Sequence, residues 1–168
     1  EGISENTAHS RLNALKFYFE QVLGREKFFW EIPRPKKKQQ LPKVISEEKI
    51  LAGLLDIKNI KHRTILLLAY SAGLRVSEVL TIKTSNVLYE DEVIRVIGKG
   101  SKERIVPIAA STLEWIKLYI TNSRNTLAKP NSEDFLFLNW RGKALSRMAI
   151  WDIISKYSKM AKIAKKIH

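Results

Sequence analysis

The chain is 168 residues long, enough for one sizeable core and a small appendage. Its 45% apolar content and four tryptophans exclude a disordered tail, and the lack of cysteine excludes disulfides, thiolate metal sites and a cysteine nucleophile. Thirty lysines and arginines against 17 acids give a formal charge of +13, which predicts a polyanionic partner, nucleic acid ahead of an anionic membrane surface.

In chain order, the first predicted element is a helix over residues 7–23. Ala8, Leu12, Leu15, Phe19 and Val22 recur at helical spacing, Ser4 or Asn6 caps it, and Gly24 stops it. Phe17, Phe19, Phe28, Phe29 and Trp30 read as core, with partial exposure as the alternative. Nothing in Glu1-Gly2-Ile3-Ser4 initiates a domain, so the opening reads as a cut within a longer protein. No signal peptide precedes the helix and no apolar run is long enough to span a bilayer, so the chain reads as soluble and intracellular.

Residues 33–43 hold three prolines, five cations and no acid. Proline keeps such a segment extended and the cations suit phosphate. One reading is a solvated linker. The other, which we favour, is a strap whose Arg34, Lys36, Lys37 and Lys38 grip a duplex backbone, adding affinity without sequence choice.

Ser46-Glu47-Glu48 predicts the next helix start, with Ile50, Leu51, Leu54 and Leu55 on its buried side. Asn59 begins another helix, apolar on most faces from Ile65 to Ala69 and therefore buried, and Gly73 suits the left-handed position that ends it. Arg75, at the start of the following helix, is thus tied to the core. A fixed guanidinium matches phosphate oxygens and can stabilise charge developing at phosphorus. Glu78, three residues on, shares its face and can orient Arg75 or another polar group.

A first strand is expected over residues 86–88, followed by two β-branched strands, 93–97 and 104–108, that predict a small antiparallel sheet. The hairpin loop between the latter two carries Lys99 between two glycines, as an exposed turn lysine or one able to enter a minor groove. Lys102 and Arg104 read as phosphate-backbone contacts or, for Arg104, strand pairing. Helix resumes at Ser111 or Thr112, with Leu113, Ile116, Leu118 and Ile120 as its apolar positions, and breaks before Lys129-Pro130. Phe135 to Leu138 form a short buried run and Trp140 to Lys143 a turn. The last helix starts at Ser146 with Ile150, Ile153, Ile154 and Tyr157 inward and Lys156, Lys159, Lys162 and Lys166 on its other side.

Two motifs stand out: A-G-L-R-V-S-E around Arg75, and V-I-G-K-G-S-K-E-R-I-V-P around Lys99. In this order and spacing they resemble the first half of the catalytic domain of tyrosine recombinases of the Xer and phage-integrase type. The text from I-P-R-P-K-K-K to I-S-E-E-K resembles the join to that family's core-binding domain. The resemblance implies an α+β, mainly helical fold with a small antiparallel sheet. Residues 1–32 would be the end of the core-binding domain, 33–45 the basic linker and 46–168 the first part of the catalytic domain. It implies site-specific DNA strand exchange through a 3′-phosphotyrosine, without metal or cofactor, on double-stranded DNA. A homodimer or tetramer on DNA and a DNA translocase are the implied protein partners, and the bacterial cytoplasm, associated with the nucleoid, the implied location. Arg75 would be the first of two arginines gripping the scissile phosphate and Lys99 the general acid for the leaving 5′ oxygen.

The family's His-x-x-Arg-His segment and tyrosine nucleophile find no match before His168. Tyr18, Tyr70, Tyr89, Tyr119 and Tyr157 lack the nucleophile's context, and His9, His62 and His168 read as surface or cap residues. The expectation is a chain that binds DNA weakly and cannot cleave it. The rival reading is a noncatalytic basic DNA-binding module or regulator.

Overall fold

The computed structural model describes residues 3, 5–25, 45–98, 100 and 102–161, in two compact units divided between Val44 and Ile45. In the first unit, α1 spans Glu5–Phe17 and continues as a π-helical turn, Tyr18–Val22, with Gly24 in the left-handed region at φ +60° just beyond it. Phe17, expected in a core, is instead 64% exposed, and Leu15 and Val22 are exposed too. Among the described residues of this unit α1 has no second helix beside it. Phe28, Phe29, Trp30 and the whole of 33–43, including Arg34, Lys36, Lys37 and Lys38, lie outside the described residues.

The second unit is mainly helical with a small sheet. Its elements are α2 (Glu47–Leu55), α3 (Ile60–Ser71), α4 (Val76–Thr81), β1 (Val87–Leu88), β2 (Val93–Ile97), β3 (Glu103–Pro107), α5 (Ala110–Tyr119), α6 (Asn125–Leu127) and α7 (Arg147–Met160). The strands lie in the order β1-β2-β3, all antiparallel, with Ile97 opposite Glu103 at the loop end of the β2–β3 hairpin. Side chains alternate on β2, so Ile94 and Val96 enter the core while Arg95 and Ile97 face out.

The core joins Ile65 and Leu68 of α3, Val79 of α4, Ile94 and Val96 of β2, Ile116 and Tyr119 of α5, Leu136 and Phe137, and Ile150 and Ile153 of α7. Helix α3 is threaded through it. Thr64, fully buried, satisfies its hydroxyl on the carbonyls of Ile60 and Trp115, and Arg63 stacks 4.0 Å from the Trp115 ring centroid.

Three packing expectations need correction. Leu51 and Leu55 are exposed and only Leu54 of α2 is buried, because α2 meets α3 and α7 along one narrow edge. A cavity of about 290 Å³ lies beside that edge, lined by Leu54, Ile57, Leu66, Tyr70 and Tyr157 among others. On α5, Leu118 is 40% exposed and Tyr119 takes the core position, its hydroxyl accepting from the Leu138 amide at 3.3 Å. His62 is no surface residue: it is half-buried, edge-on to Tyr157, with Nδ1 3.1 Å from the tyrosine hydroxyl.

Candidate functional site

The site grows from the end of α3. Gly73, at φ +56°, turns the chain, and the Leu74 amide donates back to the Ala69 carbonyl at 3.0 Å. Arg75 follows in extended conformation as the N-cap of α4. Having no side-chain acceptor, it cannot cap as a serine would. Its backbone N–H is instead taken by Oε2 of Glu78, at 2.8 Å, one half of a capping box.

Glu78 is the pivot. It is 2% exposed, yet ionised, and four donors account for that. Arg104 of β3 grips both carboxylate oxygens, Nη1 to Oε1 at 2.7 Å and Nη2 to Oε2 at 2.9 Å. Arg75 adds its backbone N–H and a single side-chain bond, Nη1 to Oε1 at 3.1 Å. The Arg104 hydrogen bonds, against the opposing effect of burial, hold the carboxyl at about 2, with the two Arg75 bonds contributing further.

The two guanidiniums differ in what they leave free. The Arg75 side chain is 74% exposed and spends one nitrogen on Glu78, whereas Arg104, at 38%, spends two. Two cations on one carboxylate leave a surplus positive charge, and it is presented on Arg75. Beside them the β2–β3 hairpin closes through the Gly98 amide and the Lys102 carbonyl, 2.8 Å apart. A Cβ at Gly98 would stand 3.7 Å from both Arg104 Nη1 and Glu78 Oε1, so the hairpin backbone passes directly over the ion cluster. Such an arrangement can hold an anion at the surface while fixing the ribbon next to it.

Of the expected site residues, Arg75, Glu78 and Arg104 come together and Lys102 is exposed at the foot of β3. Lys99, like Arg34 and Lys36 to Lys38, lies outside the described residues. Of the two expectations for Arg104, strand pairing is what is seen: it stands opposite Val96 in the β2–β3 ladder, with its fork turned onto Glu78. Strand alternation carried the signal: Arg104 shares a face with Val106, toward the core, and an inward cation calls for a buried acid. No group of three metal-ligating side chains occurs among the described residues.

Residues 37–168 match the Phage integrase family. The chain belongs to that family. Among integrase-family relatives, it is 39% identical over 145 residues to tyrosine recombinase XerD of Chlorobaculum tepidum, covering 81% of this chain and 47% of that one. XerD of Staphylococcus saprophyticus is 38% identical over 159 residues, 89% of this chain and 54% of the relative. The chain thus spans about half the length of the relatives it matches. The integrase fold is shared with XerH recombinase bound to its difH substrate, at a TM-score of 0.78 and 22% identity, covering 99% of this chain and 51% of that one. The Tn1549 transposon integrase in complex with circular intermediate DNA aligns at a TM-score of 0.73 and 21% identity, covering 99% and 61%.

Proposed function

We propose that the chain is the DNA-binding part of a site-specific tyrosine recombinase that breaks and rejoins duplex DNA through a 3′-phosphotyrosine. The observation that carries this is Arg75, held by backbone and side chain on buried Glu78 while most of its guanidinium faces solvent beside the hairpin. In this reading Arg75 grips the scissile phosphate and Lys99 delivers a proton to the leaving 5′ oxygen as the tyrosine oxygen bonds to phosphorus. Lys102, Arg34 and Lys36 to Lys38 hold flanking phosphates, and Glu78 orients Arg75. Residues 1–32 belong to the core-binding domain, 33–45 to a strap and 46–168 to the catalytic domain. The whole protein acts as a dimer or tetramer on DNA in the bacterial cytoplasm, with a DNA translocase as a further partner. The relatives' names, XerD and XerH, and the DNA in the related complexes support duplex DNA as substrate.

The nucleophile is not among this chain's tyrosines in this reading. Tyr119 is fully buried with its hydroxyl at the Leu138 amide, and the Tyr157 hydroxyl is held at His62. Two measurements test the proposal. Fluorescence anisotropy with a labelled duplex is expected to show binding that weakens steeply with salt and weakens further in Arg75→Ala. On a nicked suicide substrate the chain is expected to form no covalent adduct. Absence of duplex binding at low salt, or affinity indifferent to Arg75, would overturn the DNA reading; an adduct formed by this chain would overturn the assignment of the nucleophile.

A further inference from the structure

The geometry points to Arg104 as a positioning residue that keeps the phosphate-binding edge of Arg75 free by occupying Glu78. This rests on the recombinase reading and adds to it a residue that acts only through another.

A carboxylate and a guanidinium left to themselves pair fork to fork, two parallel bonds between planar groups. Glu78 and Arg75, three residues apart on one helical turn, are close enough to do so. They do not. Both oxygens of Glu78 are already taken in that manner by Arg104, at 2.7 and 2.9 Å, and Arg75 is reduced to one longer bond from Nη1. The backbone N–H of Arg75 fills a further site on Oε2. With its acceptor positions claimed, Glu78 fixes where Arg75 stands without absorbing its fork, and the Arg75 side chain stays 74% exposed.

Arg104 is placed for this by the sheet. It pairs with Val96 on β2, two residues beyond Lys102, whose carbonyl closes the hairpin loop on Gly98. The guanidinium therefore joins the ribbon to α4 across a buried acid. Loss of Arg104 would leave two lone pairs of a buried carboxylate unpaired, and among the described residues the other cation already bonded to it is Arg75. The guanidinium would fold inward onto Glu78 and away from any DNA phosphate.

A double-mutant cycle in DNA affinity tests this, using the 168-residue chain, a short fluorescein-labelled duplex, and temperatures below the melting transition of every variant. Arg75→Gln and Arg104→Gln are each expected to weaken binding by about tenfold, and the double variant by about tenfold as well, since Arg75 already disabled has nothing more to lose. Arg104→Lys, which keeps the charge and cannot make the two-pronged grip, is expected to behave as Arg104→Gln, and it serves alone if the glutamine variant does not fold.

Independent losses that multiply to about a hundredfold would assign Arg104 a structural or direct DNA-binding role and overturn the inference while leaving the DNA reading standing. Wild-type affinity in Arg104→Lys would overturn it too, because charge alone would then suffice. If Arg75→Gln itself binds as wild type, the DNA reading of this face fails and the positioning role falls with it.

Discussion

Glu78 decides the chemistry of the site at the scale of one residue. Its folded carboxyl sits near 2, below its ordinary 4.5, so the stability it contributes is complete above the ordinary value and is lost as pH falls toward about 2. Thermal melts of wild type and Glu78→Gln are expected to differ most above pH about 4.5 and to converge as pH approaches about 2. Two glycines make a second contrast. Gly73 and Gly142 are both left-handed, at φ +56° and +77°, but a Cβ on Gly73 meets nothing within 4 Å, whereas on Gly142 it would lie 2.6 Å from Ser132 Oγ and 3.1 Å from the Leu127 carbonyl. Gly73→Ala is expected to lose about 1 kcal/mol through backbone strain alone, and Gly142→Ala clearly more, measured by urea denaturation. The helix-stop role of Gly73 was legible because a glycine after an apolar helix has few other uses. The partnership of Glu78 with Arg104 was not, since 26 residues separate them and only the sheet brings them together.

Among the elements, two serines stand at N-cap positions in the described residues and only one of them works. Ser146 accepts from the Ala149 amide at 3.1 Å, while Ser46 makes no such bond. Ser146→Ala is expected to lower stability by about 1 kcal/mol and Ser46→Ala by much less, a difference readable in the melting midpoint. Both looked equivalent in the sequence, because capping depends on the rotamer and not only on residue type. The strands were legible from their β-branched runs, and β2 falls on residues 93–97 as expected. The face of α5 was harder to read, for an instructive reason. Leu118 is the more hydrophobic residue, but it stands two positions from Ile116 and falls on the far side of the helix, while Tyr119 stands three from Ile116 and seven from Thr112, on the buried face. Tyr119→Phe is expected to keep the packing and strand the buried Leu138 amide, a loss of about 1–3 kcal/mol by denaturation.

For the whole molecule, charge and core divide the work. The second unit carries the described core, from α3 to α7, and the first motif sits where that core ends, so the family's fold was readable from local patterns. The proposed strap rested on its composition and on the resemblance of the surrounding text to the family's domain join, and residues 33–43 lie outside the described residues. Replacing Arg34 and Lys36 to Lys38 by glutamine is expected to flatten the salt dependence of DNA binding by about 0.9 for each phosphate no longer neutralised, evenly across sequences. An unchanged slope would show that these cations touch no phosphate.

The buried carboxylate has a consequence for anyone splicing this protein with a relative. A chimaera whose crossover falls between residues 78 and 104 inherits the acid from one parent and its guanidinium from the other. Unless the second parent also supplies an inward arginine at that strand position, the hybrid's buried acid loses its two-pronged partner and keeps only the bonds from Arg75. Cut points outside that interval keep the clasp whole.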